Sequence, residues 1–357
     1  MTPLSEPAHT SLVTTGTPPR SRRRGWLLAV ALFLFSPYVG EFVLGNQPIT
    51  AFPSLLLLAP MYGGGALLIR EVVRRTSGGW PMIILLAAAY ALFEEGVVDQ
   101  MLFNPGYLGL DSFAGYGLIP GLGMSASLTQ GSLMLHTVWS ISVPIAVIEA
   151  FDDDRTRPWI GRVGMVITAS VFVIGCVSLA LMQYAQFRFV AKPVQFGVVG
   201  VAIVALVAAA LLIGFRRPAD TPSRGRPAPG AVSVAVVAFV VSSGYWLIEL
   251  IVAWIASDWV VIGCWAVFIS GCVVLLARFA RRPGWGRTHV FAIAAGTLLT
   301  YVWHGFAQSA YLPVPRPVGV LGNVVFGAGA IVVVALAARA ERRRAVALHE
   351  ATQRAIA

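Results

Sequence analysis

The chain has 357 residues, 57% hydrophobic and only 12% charged, with mean hydropathy +0.77 and formal net charge +10. A soluble domain carries about 25% charged residues, so a water-soluble globule is excluded and a polytopic membrane protein is indicated. The positive charge does not argue for nucleic acid as a partner: Lys192 is the only lysine, and arginines cluster between apolar runs, as the positive-inside rule requires.

Residues 1–24, rich in Pro, Ser, Thr and Arg, read as a disordered cytoplasmic tail with no signal-peptide cleavage pattern. Ten apolar segments of roughly bilayer-spanning length follow. They are Trp26–Leu44, Ala51–Ile69, Trp80–Val98, Leu128–Ala150, Val163–Leu181, Val194–Phe215, Val232–Ala256, Val260–Ala277, Val290–Tyr311 and Val318–Ala338. The fold class predicted is therefore all-α, a membrane helix bundle of about ten transmembrane helices. Basic clusters follow every even-numbered segment: Arg70, Arg74 and Arg75; Arg155, Arg157 and Arg162; Arg216 to Arg226; Arg278 to Arg287; Arg339 to Arg344. Odd exits carry only Arg188, Lys192 and Arg316. Both termini are thus expected on the cytoplasmic side of a plasma membrane.

The Pro/Gly/Arg-rich stretch 217–230 reads as a cytoplasmic linker between a six-span half, 25–216, and a four-span half, 231–338. Residues 339–357 form a basic tail, expected to continue as a helix near anionic headgroups. The long, uncharged, aromatic stretch Gln100–Ser127 is either a re-entrant lid or a loop packed on headgroups. Gly63, Gly64 and Gly65 suggest close helix packing in span two, and Pro144 should kink span four below His136. Cys176, Cys264 and Cys272 sit in apolar segments as buried small hydrophobes.

The stretch AYALFEEGVVDQMLFNP (89–105) places Glu94 and Glu95 side by side at the end of an apolar helix. Lipid cannot solvate a carboxylate, so such a pair faces a bundle interior or a water-filled cavity. Helical rise sets the depth of the other polar groups, at roughly 1.5 Å per residue. Glu41, Glu94, Glu95, His136, Glu249, His304 and Asn323 then fall in the outer third of the bilayer, with Gln308 one turn above His304. Each has a plainer explanation: Glu41 can snorkel, Glu249 can bond Tyr245, and a lone membrane histidine commonly makes one interhelical hydrogen bond. The argument for a site rests on the combination. A carboxylate and an imidazole sharing a water make a general base, a second histidine with Gln308 can stabilise an oxyanion, and Glu with two His suits zinc.

The order Glu94-Glu95, then His136, then His304-Gly-Phe-Ala-Gln308 resembles the glutamate intramembrane proteases of the CAAX-processing and bacteriocin-processing superfamily, whose motifs are EExxxR, FxxxH and HxxxN or HxxxD. Here Asp99 stands where the arginine belongs, Ser132 where the phenylalanine belongs, and Gln308 for the asparagine. The EEG…LFNP run also looks like bacterial polytopic membrane proteins of no assigned chemistry. The resemblance implies Glu94 or Glu95, together with His136, as water-activating base, His304 and Gln308 at the oxyanion, and a membrane peptide or lipid-borne substrate. The alternatives are a proton-coupled transporter, since intramembrane Glu and His relay protons, and a non-enzymatic membrane scaffold. HExxH, GxGD and Walker A motifs are absent from the sequence.

Overall fold

The computed structural model describes residues 22–107, 117–215, 226–248, 251 and 257–356. Among them the structure is all-α, apart from one short antiparallel pair, Leu118–Ile119 with Met124–Ser125. Eight helices are long and apolar enough to cross a membrane: α1 Arg23–Val43, α2 Ile49–Arg75, α3 Trp80–Val98, α4 Ala126–Glu149, α5 Arg162–Phe187, α6 Pro193–Gly214, α8 Asp258–Ala280 and α10 Arg316–Arg354. Two more helices, α7 Ala231–Leu247 and α9 Arg287–His304, occupy the seventh and ninth apolar segments. α7 is 17 residues long, and α9 begins at Arg287 and His289 and ends at His304, so neither meets the same criterion. Among the described residues eight helices thus meet the criterion, and the other two of the ten segments read from hydropathy are helical but shorter or less apolar.

Local chemistry sets the helix ends. Gly79 and Gly161 supply extended backbone before α3 and α5, and Pro81 enters α3 where its missing N–H is not needed. Ser125 accepts from Leu128 N to start α4. Arg188 ends α5 in a left-handed conformation.

α2 lies against α1 and α5, α3 against α6 and α4, α4 against α1 and α9, and α9 against α7 and α10. One apolar core runs through these contacts, from Leu32 and Tyr62 through Trp139 and Ile145 to Tyr301 and Ala330. The glycine triplet of α2 meets a different helix at each residue. A Cβ on Gly63 would strike the Phe33 carbonyl oxygen of α1, one on Gly64 would lie 3.1 Å from Phe172 Cβ of α5, and one on Gly65 would run into the Tyr90 ring of α3. α2 is therefore the hub, and small residues permit that approach. α5, α6 and α8 turn most of their apolar side chains outward, as lipid-facing helices do.

α2 continues as helix to Arg75, carrying its arginines into the bundle instead of into a loop. Arg70, Glu71, Glu149 and Asp152 are fully buried. Glu149 accepts from Arg70 Nε at 3.1 Å and from Arg74 Nε and Nη2 at 2.8 and 2.7 Å. Glu71 pairs with Arg70 and Arg75, each at 2.7 Å, and accepts from Trp159 N at 2.7 Å. Arg287 binds Glu341 at 2.8 Å, which joins α9 to α10. This ion lattice clamps one end of the bundle.

α10 runs through its basic segment without a break, 41 residues from Arg316 to Ile356. The described parts of the stretch after α3 are packed: Leu102, Phe103 and Met124 are buried with Ala191 and Val199. Leu108 and Leu110 of that stretch, residues 216–225 of the linker, and Glu249 lie outside the described residues.

Candidate functional site

Three helices leave α geometry at ionisable residues among those described. π-helical turns at Tyr38–Val43 of α1, Glu94–Val98 of α3 and Leu135–Ser142 of α4 carry Glu41, the Glu94–Glu95 pair and His136. Such turns cost hydrogen-bond quality and are found mostly at functional positions. Pro37 precedes the first, and Pro144 follows the third by two residues, so the predicted break below His136 takes the form of a wide helical turn.

In an α-helix neighbouring side chains diverge by about 100°. In the π turn of α3 the two adjacent glutamates instead reach one imidazole. Glu95 Oε1 lies 2.7 Å from His136 Nε2 in a hydrogen bond. Glu94 Oε2 lies 3.0 Å from His136 Nδ1, at ion-pair distance but without hydrogen-bond alignment. Ser140, one turn along α4, lies 3.2 Å from the same Nδ1. On the α1 side Tyr62 donates to Glu41 Oε1 at 2.5 Å, and its ring centre is 5.7 Å from that of His136. Ser36 donates to the Ser140 carbonyl at 2.6 Å, fixing α1 against the π turn of α4.

The cluster is dry. Glu94, Glu95, His136 and Glu41 are between 2% and 6% exposed. One oxygen of each of the three glutamates, Oε2 in every case, has no hydrogen-bond partner, nor has the Tyr90 hydroxyl. Orphaned carboxylate oxygens in an apolar interior call for a donor, a water or a polar ligand group. Asp99, a turn beyond Glu95 and half-buried, accepts from Met101 N at 3.0 Å and from the Tyr107 hydroxyl at 3.3 Å. Gln183 donates to Tyr107 at 2.8 Å.

His304 and Gln308 form a separate pair. The helix ends at His304, so Gln308 lies in the turn beyond it and not one helical turn along a longer span. Gln308 Nε2 is 3.2 Å from His304 Nε2, which makes that ring nitrogen the acceptor and leaves the proton of a neutral ring on Nδ1. His304 stacks on Trp246 at 4.1 Å, and its Nδ1 has no partner. Two contacts tie this end of α9 to α4 and α1. Trp139 of the α4 π turn stacks on Tyr301 of α9 at 4.8 Å. Gly45 (φ +92°) and Gly305 also meet backbone to backbone at the ends of α1 and α9, where a Cβ on Gly305 would lie 2.7 Å from the Val43 carbonyl oxygen. Asn323 donates to the Gly305 carbonyl at 2.8 Å, which makes it a brace for this corner.

A zinc ion does not suit these residues as arranged. Both nitrogens of His136 face carboxylates, the second imidazole is engaged elsewhere, and no group of three or more His, Cys, Asp and Glu among the described residues is placed to hold a metal. Sequence reasoning missed Tyr62 and Ser140. Ser140 follows His136 by four residues, a signal that was there to read. Tyr62 had none, because its partner lies on another helix. It also missed the Arg70–Glu149 lattice, where the arginines count only as topology markers.

The chain matches no family model, no curated protein and no solved structure.

Proposed function

We propose that this integral membrane protein is a membrane-embedded hydrolase of the glutamate type, with Glu94, Glu95 and His136 as its acid–base centre. The observation that carries the reading is the convergence of both glutamates on one imidazole, Glu95 through Oε1 and Glu94 through Oε2, with neither Oε2 receiving a hydrogen bond. A water donating to those oxygens is a nucleophile with its base in place. Its proton passes to a glutamate, its oxygen bonds to a substrate carbonyl carbon, and the tetrahedral adduct collapses with cleavage of the bond from that carbon to the leaving group, which takes a proton from His136. His304, with Gln308 fixing its tautomer, serves the developing oxyanion through Nδ1–H. The reading includes ten spans, with α7 and α9 as the short ones, and the ion lattice on the cytoplasmic side with both termini. The site then lies toward the outer face, the side from which a membrane peptide or lipid-borne substrate would approach.

The test uses purified full-length protein with a pool of membrane-anchored peptides, read by mass spectrometry. Glu94→Gln and Glu95→Gln each lower cleavage at least ~10²-fold, while both variants remain folded. Cleavage at the wild-type rate in both removes the hydrolase reading.

One observation favours a second reading, proton-coupled transport. Ionisable groups run from half-buried Asp99 inward to buried Glu95 and His136, as a proton path would. Proton uptake into protein-containing vesicles that is lost in Glu95→Gln, with no cleavage in the wild type, would select it.

A further inference from the structure

α1 presents a stripe to the bundle surface in which Arg24, Leu28, Ala31, Phe35 and Tyr38 recur every three or four residues. With Ile148 and Phe151 at the end of α4 and Val333 of α10, the stripe encloses a groove of about 710 Å³. The groove is apolar along its length and cationic at one end. From Arg24 to Tyr38 it measures ~21 Å along the helix, more than the ~15 Å thickness of one leaflet's hydrocarbon.

The cationic end is structured. Arg24 ion-pairs with Asp153 and donates to the Phe151 carbonyl at 3.0 Å. Arg344 donates to the same Asp153 at 2.7 Å and also reaches the Ala150 carbonyl. Arg155 and Arg287 stand behind them on Glu341. Four arginines therefore meet two carboxylates, and the surplus charge is positive. Partial burial works against ionisation of Asp153, but the Arg344 hydrogen bond and the Arg24 charge hold its carboxyl below the ordinary range.

We infer that this groove binds one anionic phospholipid, with an acyl chain between α1, α4 and α10 and the phosphate at Arg24 and Arg344. The length fits a whole chain, and the charge at the mouth selects an acidic headgroup over a zwitterionic one. A free phosphate would satisfy the arginines and leave the apolar groove unused.

Native mass spectrometry of the full chain in detergent tests this with phosphatidylglycerol and phosphatidylcholine of identical chains. One phosphatidylglycerol is retained in preference, by about fivefold for each arginine engaged, the equivalent of ~1 kcal/mol per basic side chain near an anionic surface. Arg24→Gln lowers that preference about fivefold and spares phosphatidylcholine retention. Ala31→Trp fills the groove and removes retention of both lipids, while leaving every charge in place. Equal retention of the two lipids by the wild type overturns the proposal, as does phosphatidylglycerol retention that survives Ala31→Trp. Competition by inorganic phosphate alone, with no loss in Ala31→Trp, assigns the arginines to a free anion and overturns it too.

Discussion

Replacing His136 with leucine separates what the site does for the fold from what it does for chemistry. The imidazole sits 2.7 Å from Glu95 and 3.0 Å from Glu94, and both carboxylates are at most 3% exposed. Leucine nearly conserves the volume and deletes both contacts. Removing one partner of a buried ion pair costs ~3–5 kcal/mol, because the charge left behind has neither water nor counter-ion. Two stranded carboxylates place His136→Leu at the upper end of that range. Adding Glu94→Leu and Glu95→Leu removes the stranded charges, and a buried ion cluster replaced by hydrophobic residues of similar size is near neutral in stability. The triple variant should therefore regain most of the loss. Reversible denaturation in mixed micelles, followed by tryptophan fluorescence, gives both differences. A His136→Leu effect below ~1 kcal/mol, or a triple variant no more stable than the single one, would refute the geometry, since the carboxylates would then have found other partners.

Further outcomes follow from other contacts. Glu149→Gln leaves Arg74 without a carboxylate and Arg70 with fewer, and should destabilise by ~3–5 kcal/mol in the same assay; a change within ~0.5 kcal/mol would mean the lattice is solvated. Tyr62→Phe removes the donor to Glu41 and should cost ~1.5–3 kcal/mol, the value of a hydrogen bond to a charged group; no change would show that Glu41 is held otherwise. In the glycine triplet, Gly63→Ala meets backbone of α1 whereas Gly64→Ala meets a side chain at 3.1 Å. Folded yield should thus fall more for the first than for the second, and the reverse order would contradict the α1–α2 approach.

Most helices could be read directly from the sequence. A run of some 20 apolar residues has few alternatives in a bilayer, and Trp80–Val98 begins and ends where hydropathy placed it. Helix ends were harder. α2 runs on to Arg75 because Glu71, Glu149 and Asp152 wait for its arginines, and those partners are up to 82 residues away in sequence. α9 stops at His304 because Gly305 must press against α1. The pairing of Glu94–Glu95 with His136 was legible from depth and charge. The way both glutamates reach one ring was not, since it depends on an extra residue in a turn that no residue type announces. The separateness of His304 was hidden for a related reason: depth along a helix says nothing about the direction a side chain faces.

The tenth helix carries a practical consequence. From Ala345 to Ile356 it continues as one helix for ~18 Å past Arg344, with residues 345–354 exposed. A protein grafted in helical phase onto that rod would inherit a fixed azimuth relative to the bundle, advancing about 100° for each residue inserted. A 38.0 kDa membrane protein offers few landmarks for particle alignment, and this rod would hold one at a chosen angle without touching the helices that surround Glu94 and His136.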